Sequence, residues 1–360
     1  MRSIIQLIAA AAMIVAGASA AQAQNAFPHK EGDYIVKNFT FDDGETLETL
    51  RLHYTTLGKP VRDKSGRVTN AVLIMHGTGG SGHQFFRPQF ADVLFVPGGL
   101  LDISKYYIIL PDEIGHGKSS RPSDGLHTAF PNYDYTDMVK ADYALVTKGL
   151  NVNHLRLVMG TSMGCMHSFM WGEMWPDFMD ALMPLACEPA QIAGRNRMWR
   201  KMIIDGIRSD PEWDGGNYKT EPQQGLRIAA DMLIIAGSAA HQMQKAYPTR
   251  DEADQELSDL SSHYISELDA NDILYQVGAS RDYDPSAKLE TIKAPTMWVN
   301  SADDFINPPD LGIAEDLAAR NPKIKYVVIP TSDQTHGHGT HTWAAAWHDQ
   351  MAELLKETAK

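Results

Sequence analysis

Cysteine is almost missing: the 360 residues carry two, Cys165 and Cys187. That count excludes a disulfide-stapled scaffold and the usual cysteine zinc cluster. Both thiols lie in apolar stretches, so the expectation is two buried, unpaired cysteines; a disulfide is the alternative that an oxidising compartment would permit. Basic blocks are missing as well. The formal charge is −13 with no run of Lys or Arg, which argues against nucleic acid and anionic membrane surfaces as partners. After residue 24 no stretch approaches the roughly 20 apolar residues that a bilayer span needs. Internal repeats and low-complexity linkers are lacking too. The glycine-rich loop at 77–80 has no following Lys, so it is not a phosphate-cradling P-loop.

What is present begins with residues 1–24. Arg2 precedes an apolar run from Ile4 to Val15, and Ala18-Ser19-Ala20 or Ala21-Gln22-Ala23 offers small residues for cleavage. This is the pattern of a secretory signal peptide, too short and too rich in Ala for a membrane anchor, so the expected location is periplasmic or secreted. Hydrophobic residues make up 43% of the chain, enough for one large core with an elaboration.

Tyr34–Phe41 and Leu47–Thr56 alternate apolar and polar residues around Asp42-Asp43-Gly44, which predicts a β-hairpin. Short apolar runs at Val72–Met75, Tyr106–Leu110, Leu155–Met159, Met179–Leu185, Thr296–Asn300 and Lys325–Ile329 read as buried strands. Helical spacing at Tyr135–Lys148 and a final helix over Trp343–Glu357 alternate with them. The expected fold class is α/β: a mostly parallel, doubly wound sheet. Between Glu188 and Asp284 the strand rhythm stops, and helical stretches at Arg195–Met202, Gly225–Gly237 and Glu252–Leu268 replace it. The expected division is a core of residues 25–187 and 285–360, with a helical cap at 188–284.

Gly160-Thr161-Ser162-Met163-Gly164 stands between a strand and an apolar helical segment, Cys165–Trp175. A Gly-x-Ser-x-Gly in that setting is a nucleophile elbow, whose tight turn only small neighbours allow and which holds the serine hydroxyl out above the sheet. A nucleophilic serine needs a base, and the base needs an acid to fix its tautomer. On such a sheet they follow in the order Ser, Asp, His. Past the strand Thr296–Asn300 come Asp303 and Asp304; Asp304, four residues before Pro308, is preferred as the acid. After the last strand, Thr335-His336-Gly337-His338-Gly339-Thr340-His341 offers three bases, and His338, between two glycines, is preferred. The same loop could suggest zinc, but convincing further ligands are lacking. The oxyanion donors expected are the N–H groups of Met163 and Thr78. Asp112–Ser119 is expected to shape the rim, with His116 in a structural turn. No metal or cofactor is implied.

Several segments extend the pattern beyond the elbow. Gly160-Thr161-Ser162-Met163-Gly164-Cys165-Met166, Trp213-Asp214-Gly215-Gly216-Asn217-Tyr218 with Pro222 and Gly225-Leu226, and Asp269-Ala270-Asn271-Asp272-Ile273-Leu274-Tyr275 resemble the homoserine O-acetyltransferase group of the α/β-hydrolase superfamily. The resemblance implies the α/β-hydrolase fold, a triad of Ser162, Asp304 and His338, and a chain that can pair as a homodimer through its lid. The chain departs from that group in two places. Pro111-Asp112-Glu113-Ile114-Gly115-His116-Gly117 stands where an Asn- and Gly-rich loop is usual, and Ala229-Ala230-Asp231 replaces an Ala-Arg pair. Both departures, with the export signal, favour water over an amino-acid acceptor. The expected function is therefore an exported serine hydrolase acting on a small-molecule carboxylic ester or lactone. The alternatives are an acyltransferase with the same acyl-enzyme and, from another class, a non-catalytic binding protein with a broken triad.

Overall fold

The computed structural model describes residues 27–359. The signal-peptide reading of residues 1–24 lies outside the described residues. Eight strands form one sheet in the order β1-β2-β4-β3-β5-β6-β7-β8. The long strands β1 (His29–Thr40) and β2 (Thr46–Leu57) make the antiparallel hairpin around Asp43-Gly44. β2 joins β4 (Tyr107–Pro111) antiparallel. From there β3 (Ala71–Met75), β5 (Leu157–Thr161), β6 (Leu182–Leu185), β7 (Thr296–Ser301) and β8 (Ile324–Ile329) continue the sheet in parallel.

The central strands are covered on both faces. Every residue of β3, β4, β5, β6 and β7 is buried, as a parallel sheet packed on two sides requires. One face packs against α2 (Tyr135–Ala144) and α3 (Met163–Met174), with Leu73, Ile109, Val158 and Trp298 meeting Met138, Phe169 and Trp171. The other meets α1 (Pro88–Leu94) and α10 (His348–Glu357), where Ile74, Met159 and Val299 pack with Phe90, Trp347 and Leu354.

Between β6 and β7 the chain leaves the sheet for α4 (Gly194–Ser209), α5 (Gln223–Gly237), α6 (Ala240–Ala246), α7 (Arg250–Glu267) and α8 (Ala270–Gly278). These helices build a core of their own from Trp199, Ile203, Ile207, Leu226, Ile273 and Val277. A short α9 (Ile313–Ala318) links β7 to β8.

Three expectations change. The strand expected over Met179–Leu185 pairs continuously only from Leu182, with an isolated bridge from Leu155 to Met179 before it. The last helix begins at His348, five residues late, because Gly339–Thr342 and Ala344–Ala346 form two tight turns that bury Trp347. Cys165 and Cys187 are bonded to each other rather than free. The strand–helix–strand crossover sets the first turn of α3 beside the end of β6, so their Cα atoms lie 5.8 Å apart, within disulfide reach.

Candidate active site

β5 ends at Thr161, and Ser162 turns the chain into α3 with φ 55° and ψ −109°. A side chain resists that left-handed conformation, so the surroundings must enforce it. The flanking glycines explain how. A Cβ on Gly164 would sit 2.1 Å from the Met75 carbonyl oxygen, and one on Gly160 would sit 2.1 Å from the Gly164 oxygen. The turn is clamped by Ser162 N–H donating to Leu185 O at 2.9 Å and Gly164 N–H donating to His76 O at 3.0 Å.

Residues from three strand ends meet there. Ser162 Oγ lies 2.8 Å from His338 Nε2. On the other side of the ring, His338 Nδ1 is 2.9 and 3.0 Å from the two oxygens of Asp304. A carboxylate only accepts, so Nδ1 carries the proton and Nε2 is left to accept from the serine hydroxyl. Asp304 is buried, and its Oδ1 also accepts the N–H groups of Ile306 at 2.7 Å and Asn307 at 3.1 Å. Those amides hold its orientation.

The other candidates lie elsewhere. His336 stacks on Trp343 at 3.8 Å. His341 lies half-buried and edge-on to His338 at 5.1 Å, and desolvation of its ring holds the imidazole well below the usual range. Asp303 points away from His338, toward the segment before it. His116 is buried in a turn with Nδ1 on Ile114 O at 2.9 Å, and Asp112 ties two loops by accepting from Gly82 N–H and Lys118 N–H, each at 2.8 Å.

Met163 is the first residue of α3, so its N–H has no carbonyl within the helix to bond. Gly77 runs close beside the serine: a Cβ there would lie 3.2 Å from Ser162 Cβ and 3.8 Å from Ser162 Oγ. Its carbonyl accepts from His76 Nδ1 at 2.8 Å and from Gly80 N–H at 3.0 Å. The Gly77–Thr78 peptide is planar and trans, so fixing that carbonyl turns the Thr78 N–H to the opposite side. The Thr78 hydroxyl is buried with no hydrogen-bond partner among the described residues.

Sequence reasoning missed what stands behind this loop. His76 Nε2 accepts the Glu113 N–H at 3.1 Å, and Gln276 of α8 donates to Gly115 O at 2.7 Å. Glu113 also lies 3.3 Å from His167 on α3, and both are wholly buried. Burial pushes the Glu113 carboxyl up to about 8 and the His76 and His167 imidazoles down to about 4. The signal available was Glu113 itself, the second of two acidic residues directly after an apolar strand and before Ile114.

Comparison with known proteins adds relatives to the geometry. A probable acyltransferase of Methanothermobacter thermautotrophicus is 29% identical over 85% of this chain and 91% of its own. A homoserine O-acetyltransferase of Pelobacter propionicus is 29% identical over 89% and 94%. Among solved structures, a homoserine O-acetyltransferase from Bacillus anthracis superposes with a TM-score of 0.79 at 21% identity, covering 91% of this chain and 97% of that one. An acetylester hydrolase from Corynebacterium glutamicum superposes with 0.77 at 23%, covering 92% and 95%. The family described as alpha/beta hydrolase fold matches residues 70–334, a span that holds Ser162, Asp304 and the whole run of helices α4–α8, and the chain belongs to that family.

Proposed function

We propose that the protein is a serine-dependent acyl-transfer enzyme that carries a small acyl group on Ser162 and passes it to an alcohol. The observation that carries this reading is the 2.8 Å approach of His338 Nε2 to Ser162 Oγ, with Asp304 on the opposite nitrogen. Ser162 Oγ attacks the acyl carbonyl while its proton moves to His338 Nε2. The oxyanion forms against the N–H groups of Met163 and Thr78. His338 returns the proton to the departing group, leaving an ester on Ser162. An acceptor hydroxyl then gives its proton to His338 and attacks that ester, and Ser162 recovers its hydrogen as the product leaves.

The sequence expectation ranked water first as acceptor. The acyltransferase names of the relatives spanning most of the chain support the opposite order. Hydrolysis stays as the second reading because Ala229-Ala230 stands where the resembling group carries Ala-Arg. Export through residues 1–24 belongs to the same proposal, and the Cys165–Cys187 disulfide supports an oxidising compartment.

The test is acyl partition. With an activated acetyl ester as donor, homoserine or a simple alcohol is added at rising concentration, and acetate and acetylated acceptor are both measured. Transfer predicts that the ester product grows at the expense of acetate while the rate of donor cleavage holds. Acetate alone at every concentration returns the reading to hydrolysis. Ser162→Ala should lower either activity by about 10⁶. An active Ser162→Ala protein would remove the proposal altogether.

A further inference from the structure

The paired aspartates after β7 divide their contacts. Asp304 faces the imidazole of His338. Asp303, one residue earlier, faces the backbone that carries it. Its Oδ2 accepts the Gly337 N–H at 3.0 Å and the Thr335 hydroxyl at 2.9 Å, while its Oδ1 accepts the Ser301 hydroxyl. Thr335 is fully buried, and Gly337 immediately precedes His338. A second set of bonds closes the same loop: Thr340 Oγ1 accepts the His336 N–H at 2.8 Å and lies 3.3 Å from Ser301 Oγ.

Gly337 is held from the other side as well. Its φ is +58°, and a Cβ there would lie 3.0 Å from the Ser238 oxygen and 3.1 Å from Ala239 Cα. Gln242 of α6 donates to the carbonyls of Asp333 at 3.0 Å and Thr335 at 2.9 Å. The segment Asp333–Gly337 is thus gripped between α6 and the carboxylate of Asp303. No hydrogen bond joins Asp303 to Ser162, His338 or Asp304 directly.

We propose that Asp303 is a positioning residue, whose carboxylate sets the backbone of Gly337 so that His338 Nε2 reaches Ser162 Oγ. The inference rests on the acyl-transfer reading of that site. A reacting pair tolerates little displacement, since a misplacement of about 1 Å costs on the order of 10² in rate. The part of Asp303 that matters is the acceptor oxygen that Gly337 and Thr335 share, not its charge. Asn keeps one oxygen for Gly337 and Thr335, and its amide can donate to Ser301. Ala keeps neither.

The rate of Ser162 labelling by a fluorophosphonate reads the site without any need for the natural substrate. Asp303→Ala should label about 10- to 100-fold more slowly than the native protein, and Asp303→Asn within about threefold of it. Exchange of the Gly337 amide hydrogen, followed by mass spectrometry over residues 333–341, reads the loop without catalysis. It should be fast in Asp303→Ala, slow in Asp303→Asn, and unchanged at the Ser162 turn in both. If Asp303→Ala does not fold, Thr335→Val removes one donor at nearly constant volume and should give a several-fold loss of labelling with faster Gly337 exchange.

Native labelling rate and native exchange in a folded Asp303→Ala protein would overturn the proposal. So would an Asn variant as slow as the Ala variant with the loop still protected, because the charge would then be the contribution. Failure of the native protein to label at Ser162 would instead strike the acyl-transfer reading, and the exchange result would still decide whether Asp303 places the loop.

Discussion

His76 is bonded at both ring nitrogens, and those two bonds leave it one protonation state. Nε2 accepts the Glu113 N–H, so it is bare; Nδ1 therefore carries the hydrogen and donates it to Gly77 O. The neutral ring fits its site, where burial holds the imidazole down to about 4. Through the planar Gly77–Thr78 peptide, this tautomer aims a backbone donor rather than touching the reacting atoms. Replacing His76 with Ala would strip the Glu113 N–H and one bond from Gly77 O in a buried place, a loss of about 1–3 kcal/mol for an unsatisfied group. The expected outcome is lower stability in urea together with a fall in acyl-transfer rate approaching the ~10²-fold typical of a lost oxyanion donor. A His76→Ala protein with native kinetics would show that the Thr78 peptide is aimed by the Gly80 turn alone.

At the scale of elements, the disulfide joins the first turn of α3 to the end of β6, the strand whose Leu185 carbonyl accepts the Ser162 N–H. Closing a loop with a sequence separation of 22 removes chain entropy from the unfolded state, worth about 3 kcal/mol on the loop-closure estimate. Replacing both Cys165 and Cys187 with Ala should lower the urea midpoint accordingly, and reducing agent should leave that double variant unaffected while destabilising the native protein. The pairing was hidden in the sequence because it depends on a crossover bringing distant segments together, whereas buried thiols and bonded ones share the same apolar surroundings. The elbow was legible for the opposite reason: its glycines answer to contacts within one turn and one neighbouring strand. Asp304 was legible from its spacing to Pro308. His338 was named for glycines expected to let backbone pass near the serine, but Gly337 is required by the approach of Ser238 and Ala239 instead. The late start of α10 could not be read, since Ala344–Ala346 would favour a helix in isolation and burial of Trp347 decides against it.

At the scale of the whole molecule, the alternation of strand and helix made the parallel sheet legible, and the contacts between α6, α8 and the loops of the sheet were not, because they join surfaces without a period. The buried titratable groups have a consequence for stability as a whole. His76, His167, His116 and His341 are held below the usual imidazole range, chiefly by burial. They stay neutral in the fold, so the stability they contribute is complete above the unfolded imidazole value near 6.5 and is lost as pH falls toward about 4. Glu113 and Glu173 are pushed up to about 8 and Glu188 to about 7, again mainly by burial. The folded chain keeps protons that the unfolded chain releases near 4.5, so this contribution is complete below that value and is lost as pH rises through 7 to 8. Between about 4.5 and 6.5 the two groups oppose each other. Above 6.5 the histidines no longer titrate and the acids act alone, so the melting temperature should fall from pH 6.5 to pH 8.5. Glu113 is wholly buried and carries the clearest part of that slope. Glu113→Gln holds no proton to release, and it should flatten the fall, gaining on the native protein by at most about 3 kcal/mol between pH 6 and pH 8.5. Melting curves of the two proteins at pH 6 and pH 8.5 decide it: parallel losses would show that Glu113 releases no extra proton on unfolding and that the slope comes from the other buried acids.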